Sequence, residues 1–171
     1  MPPEGDPHER TWLAWPHAGY TLGDTAAEAE EARSCWASVA NAVAEFEPVS
    51  VIVDPEDTQI ATRYLDGSIE MHEAPLDDAW MRDIGPTFVL DTNGALGAVD
   101  WIFNGWGQQD WASWGHDALI GGRVAELAQA ELIESALVNE GGGVGRNCEP
   151  RSITHGVTLP HCEATGNVVG T

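Results

Sequence analysis

Thr25 and Glu28 stand three apart, and behind them Ala32, Trp36, Val39, Val43 and Phe46 recur at helical intervals. That is a capping box opening an amphipathic run, and it predicts a helix over 25–46. Pro48 ends the pattern. Val49-Ser50-Val51-Ile52-Val53 follows at once, an apolar run of strand length stopped by Asp54-Pro55. A well-capped helix feeding a short buried strand commits the chain to a mixed α/β architecture.

Further signals continue the alternation. Asp57 is placed to cap a short helix reaching about Tyr64, and Ile69–Ala74 reads as a second strand. Thr87–Leu90 and Leu96–Trp101 flank Asp91-Thr92-Asn93-Gly94, the pattern of a hairpin. Asp117 precedes Ile120, Val124 and Leu127, a second amphipathic helix, and Ser135–Val138 is a last short strand. The order fits repeated mixed units better than a single Rossmann run.

Composition narrows the function. The 171 residues carry a net charge of −21, and every basic residue is an arginine. Such acidity argues against nucleic acid and anionic membrane as partners; it serves solubility and equally suits a cationic small molecule. No apolar run reaches membrane-spanning length, the first residues lack the order of a signal peptide, and a cytoplasmic location is expected. Three cysteines at unrelated spacings give neither a disulfide framework nor a metal pattern. Cys35 falls among helix residues, as core or inert surface. His8 and His17 read as structural, and no metal or organic cofactor is expected.

The densest chemistry lies in Asp77-Asp78-Ala79-Trp80-Met81-Arg82-Asp83-Ile84-Gly85-Pro86-Thr87. Three carboxylates, a guanidinium and an indole crowd a turn-like segment between strand signals. Asp83 precedes Ile84-Gly85-Pro86 and then the apolar run from Thr87, so it sits at a strand entrance. A carboxylate there accepts two parallel N–H bonds from a planar cation while Trp80 covers the cation's face. That describes a guanidinium or ammonium pocket, against the plainer alternative that Arg82 and Asp83 pair with neighbours and Trp80 packs.

Trp101, Trp106, Trp111 and Trp114 fall within one glycine-rich stretch and share no single helix face. A sugar-stacking platform is one competing reading, although sugar-binding modules are typically all-β. Packing accounts for most of these indoles.

Three further blocks surround the acidic segment in order. They are Met1 to His17 with its Thr11-Trp12-Leu13-Ala14-Trp15-Pro16-His17, then Val99 to Gly107, and Glu140-Gly141-Gly142-Gly143. With these blocks the chain resembles the agmatine deiminase family of the guanidine-modifying superfamily. The resemblance runs over roughly residues 1–143, and Gly5 stands where the family usually has Trp. It implies an N-terminal part, about two blades, of a five-bladed α/β propeller of ββαβ units around a central pocket. It also implies hydrolysis of agmatine to N-carbamoylputrescine and ammonia through a thioether intermediate. On the matching positions, Asp83 grips the guanidinium, Trp80 lines the pocket, Trp106 contacts substrate at its entrance, and Glu140 sits near the catalytic histidine. The glycines after Glu140 let the backbone approach closely.

The family's Gly-His-x-Asp and Gly-Gly-Gly-x-x-His-Cys segments, source of its histidine and nucleophile, do not occur here. Cys148 lies one position late after Gly141-Gly142-Gly143, and His161-Cys162 follows Thr158-Leu159-Pro160 instead of glycines. Residues 144–171 therefore read as a divergent, poorly ordered tail. The expectation is a chain that does not turn over agmatine alone, with a non-catalytic binder of guanidino or amine ligands as the runner-up. Two of five blades also leave apolar faces uncovered, Val49–Val53 among them, so self-association is expected.

Overall fold

The computed structural model describes residues 7–144, 151–154 and 157–160. Its chain divides into two compact units. One comprises His8–Met81 and Asn104–Leu119; the other is built on Arg82–Phe103 and the chain from Ile120.

The first unit holds β1 (Thr11–Ala14), α1 (Ala26–Ala44), β2 (Val49–Val53) and β3 (Glu70–Glu73). The strands form one parallel sheet in the order β1-β2-β3. The predicted capping box is present: the Thr25 side chain accepts the Glu28 N–H, and the Glu28 carboxylate accepts the Thr25 N–H at 2.9 Å. Val49, Val51 and Val53 share a core with Ala37, Ala40, Trp15, Leu65 and Ile69. Each valine removed from water is worth about 1.5–3 kcal/mol.

Three expectations are corrected in this unit. The helix turns Ala37 and Ala40 to the sheet and leaves Val39 and Phe46 exposed, since small side chains let a helix lie close on a sheet. Val49–Val53 is the central strand and buried throughout, as its apolar run predicts, and is not left uncovered as the two-blade argument expected. Asp57 precedes a helical turn at Thr58–Ala61 without capping it; its carboxylate instead pairs with His17 Nδ1 at 2.9 Å and Arg33 Nη2 at 3.3 Å. β1 was not foreseen.

The second unit holds β4 (Thr87–Leu90), β5 (Leu96–Ile102), α2 (Ile120–Leu127) and β6 (Glu131–Val138), in the order β4-β5-β6. β4 and β5 are the antiparallel hairpin expected, and β5 pairs with β6 in parallel across α2. That is a complete ββαβ unit. Asp91 closes the hairpin by accepting the Asn93 and Ala95 N–H groups, each at 2.7 Å. Gly121 of α2 lies against the Asp100 carboxylate of β5, where a Cβ would collide. β6 starts four residues earlier than the apolar signal at Ser135, because Glu131–Glu134 pair with Gly97–Asp100 although their side chains are exposed.

Within the tail, β7 (Arg151–Thr154) and β8 (Val157–Pro160) pair antiparallel. Cys148 and Cys162 lie outside the described residues. Cys35 is an exposed free thiol. Among the described residues no helix is long and apolar enough to cross a membrane.

Candidate functional site

Asp83 belongs to a helical turn, Met81–Ile84, pinned by the buried Ile84 and Gly85 immediately before β4. Because β4 runs antiparallel to β5, its entrance lies at the edge where β5 and β6 end. The Asn139 N–H reaches the Ile102 carbonyl at 3.3 Å and carries β6 into Glu140 and a tight turn at Gly141–Gly143. Strand entrance and glycine turn therefore converge within one unit.

The convergence is close enough to dictate glycine. A Cβ on Gly141 would fall on the Arg82 carbonyl oxygen, and one on Gly142 would lie 2.6 Å from Asp83 Oδ1. The turn's backbone occupies the space beside the Asp83 carboxylate. Glu140 leads this turn with extended backbone, φ −100° and ψ 141°. The structure thus brings Asp83 against the triple glycine, with Glu140 at the head of that turn.

Trp80 and Trp106 belong to the other unit. Trp80 is 39% exposed, with its ring edge-on to Trp36 of α1 at 6.0 Å. Trp106 stacks on Trp111 at 5.3 Å, and Tyr20 meets Trp111 at 5.8 Å. Trp106 also has φ +54°, a left-handed backbone that a bulky residue adopts only when its surroundings hold it there. Trp15 is buried in the core and Trp101 donates to Thr87 Oγ1 at 2.8 Å, so those indoles pack.

The acidic cluster separates into different roles. Of its three carboxylates, Asp83 lies against the glycine turn. Asp78 is buried and accepts the Ala79 N–H at 2.7 Å, while Asp77 accepts the His116 N–H at 2.6 Å. Asp117, fully buried, was not read as more than a helix start. Burial pushes its carboxyl up to about 7, although the Asp77 and Asp78 N–H groups it accepts pull the other way.

A second charged group surrounds His17. His17, Asp54 and Glu56 present ligand-type atoms within 4.8 Å of one another. Their bonds already have structural uses: Asp54 accepts the Glu56 and Leu76 N–H groups at 2.9 and 3.2 Å, and Asp57 bridges His17 and Arg33. His17 is held by Asp57 at 2.9 Å, with Asp54 at 3.8 Å from its other ring nitrogen.

The fold is that of solved agmatine deiminases, part of an α/β propeller. The Enterococcus faecalis enzyme superposes with a TM-score of 0.79 at 29% identity, over 94% of this chain and 42% of that one. The family model for Porphyromonas-type peptidyl-arginine deiminases matches residues 1–160, and the chain belongs to that family. A relative from Streptomyces coelicolor is 56% identical over 144 residues, which cover 84% of this chain and 42% of the relative. The agmatine deiminase of Stutzerimonas stutzeri is 40% identical over 159 residues, covering 90% and 42%. The chain therefore spans about two fifths of the length of the curated relatives it matches.

Proposed function

We propose that this chain carries the guanidinium-gripping part of an agmatine deiminase, the class of hydrolase that converts agmatine to N-carbamoylputrescine and ammonia. The observation that carries the reading is the Asp83 carboxylate held at a strand entrance against Gly142, in the unit that also presents Glu140. A guanidinium is flat, charged and poorly electrophilic. A carboxylate fixed beside it pairs with two of its N–H groups and orients its central carbon for attack. By resemblance to the family, Trp80 and Trp106 are further candidates for substrate contact, since an indole face attracts a flat cation. Glu140, at the head of the glycine turn, is the second candidate acceptor.

Completion of the reaction requires a thiolate to attack the central carbon and a histidine to protonate the departing ammonia. Both are assigned to the part of the family domain beyond the matched segments, so turnover by this chain alone is not expected. The net charge of −21 favours approach of a cationic substrate.

The test is a rebuilt domain that joins residues 1–143 to the remainder of the Streptomyces coelicolor relative. Asp83→Asn keeps the shape but replaces an acceptor with a donor and removes the charge, and agmatine turnover should fall by about two orders of magnitude or more. Ser113→Ala should match the parent. Parent-like kinetics for Asp83→Asn would remove Asp83 from the site.

A further inference from the structure

Two loops of the first unit, 39–40 residues apart in sequence, exchange carboxylates. Asp117 Oδ1 accepts the Asp77 N–H at 2.8 Å, and its Oδ2 accepts the Asp78 N–H at 3.1 Å. In return Asp77 Oδ2 accepts the N–H groups of His116 at 2.6 Å and Asp117 at 3.3 Å. Asp77 Oδ1 also lies 3.3 Å from His116 Nδ1. Each loop supplies the acceptor for the other's backbone donors. A third segment closes in at Gly19, whose φ is +70° and whose Cβ, if present, would sit 2.9 Å from both the Asp77 carbonyl and Asp78 Oδ2.

The arrangement is costly for a simple loop anchor. Burying a carboxylate beside two others penalises its charge, whereas a neutral Asn or Ser oxygen accepts amides without that penalty. Burial holds the Asp117 carboxyl well above the ordinary carboxylate range. The exchange joins two segments that carry tryptophans. Trp80 follows Asp78 by two residues, and Asp117 ends the stretch that carries Trp106, Trp111 and Trp114. The left-handed backbone of Trp106 is held within its loop, where Asn104 Oδ1 accepts the Gly107 N–H at 2.9 Å and the Trp106 carbonyl accepts from Gln109 Nε2 at 3.3 Å, and that loop runs on to Asp117.

We propose that Asp77 and Asp117 are positioning residues: their reciprocal clasp registers the loop bearing Trp106 and Trp111 against the segment bearing Trp80, setting the aromatic faces before a flat cation arrives. The role assigned to those faces rests on the functional reading above. Neither carboxylate touches a reacting atom in this scheme.

Segment-resolved hydrogen exchange on the full chain tests the clasp directly. Asp117→Ala should speed exchange at residues 77–78 by about tenfold or more, and Asp77→Ala should do the same at 116–117, with Val49–Val53 unchanged in both. The stacked Trp106–Trp111 pair should give an exciton couplet in circular dichroism that weakens in Asp117→Ala and survives in Asp117→Asn, which keeps an acceptor oxygen. Exchange that rises uniformly across the chain, or a couplet indifferent to Asp117→Ala, overturns the proposal. If Asp117→Ala does not fold, the Asp77→Ala and Asp117→Asn arms still decide it. Asp83→Asn should leave both readouts unchanged, so failure of the guanidinium reading and failure of the clasp appear on different variants.

Discussion

Gly142→Ala is a steric probe of the grip itself. The added methyl would sit 2.6 Å from Asp83 Oδ1 and 3.4 Å from Arg82 Cγ. Ordinary contact begins at 3.4 Å, so the carboxylate oxygen must retreat by 3.4 − 2.6 = 0.8 Å, or the turn must lift by as much. Overpacking of this kind costs about 1–3 kcal/mol. The larger consequence is for alignment: a displacement approaching 1 Å in a group that orients substrate costs on the order of 10²-fold in rate. Gly142 has no left-handed φ, so backbone strain does not complicate the comparison. In the rebuilt domain, kcat/KM for agmatine, read as ammonia release, should drop by about 10²-fold while the far-ultraviolet circular dichroism stays the same. Gly67→Ala is the control, because nothing lies within 4 Å of its Cβ position and its kinetics should match the parent. A Gly142→Ala domain within twofold of the parent would show that the turn does not set the Asp83 carboxylate.

Two further outcomes follow from exposure and charge. Asp117, with Asp77, Asp78 and His116 facing it, has a folded-state pKa of about 7 against an ordinary 3.8, so the folded chain holds a proton there that the unfolded chain has released. That contribution is complete below 3.8 and lost as pH rises through 7, with an upper bound on the order of 4 kcal/mol. The melting temperature should therefore rise as pH falls from 7.5 to 5, and the slope should flatten in Asp117→Asn. Further acidification should reverse it, since hydrogen bonding lowers the carboxyls of Glu28, Asp66 and Asp91 and their stabilisation is lost below their ordinary values. Leu132, Ile133, Leu137 and Val138 of β6 are exposed together, and the purified chain should bind a hydrophobic dye and self-associate in light scattering; a dye-silent monomer would contradict this.

Local chemistry was legible in the sequence, and distant pairing was not. The capping box at Thr25, the Val49–Val53 strand and the Asp91–Gly94 hairpin each draw on a few neighbouring residues, and each formed where its pattern placed it. β1 escaped notice because Thr11–Ala14 is a strand only through its pairing with β2, almost forty residues later. The face of α1 was misjudged because a period of 3.6 marks large apolar residues, while the sheet selected alanines. At the site, the segment around Asp83 stood out by its crowded chemistry and the triple glycine through the family resemblance, and their union at one sheet edge required the register of β4, β5 and β6. The Asp77–Asp117 exchange carries no sequence signal beyond two acidic residues in separate loops. Only folding shows that they answer each other.

Side-by-side agmatine hydrolysis by the purified chain and by the rebuilt domain, read as ammonia and N-carbamoylputrescine, tests the account most directly. The proposed function gives recognition to Asp83 and its glycine turn, and the thiolate and histidine to the remainder of the family domain. The prediction is steady turnover by the rebuilt domain and, from the chain alone, ammonia release no greater than a protein-free control. Turnover by the chain alone that disappears in Cys148→Ala or Cys162→Ala would contradict it and place the nucleophile within these 171 residues.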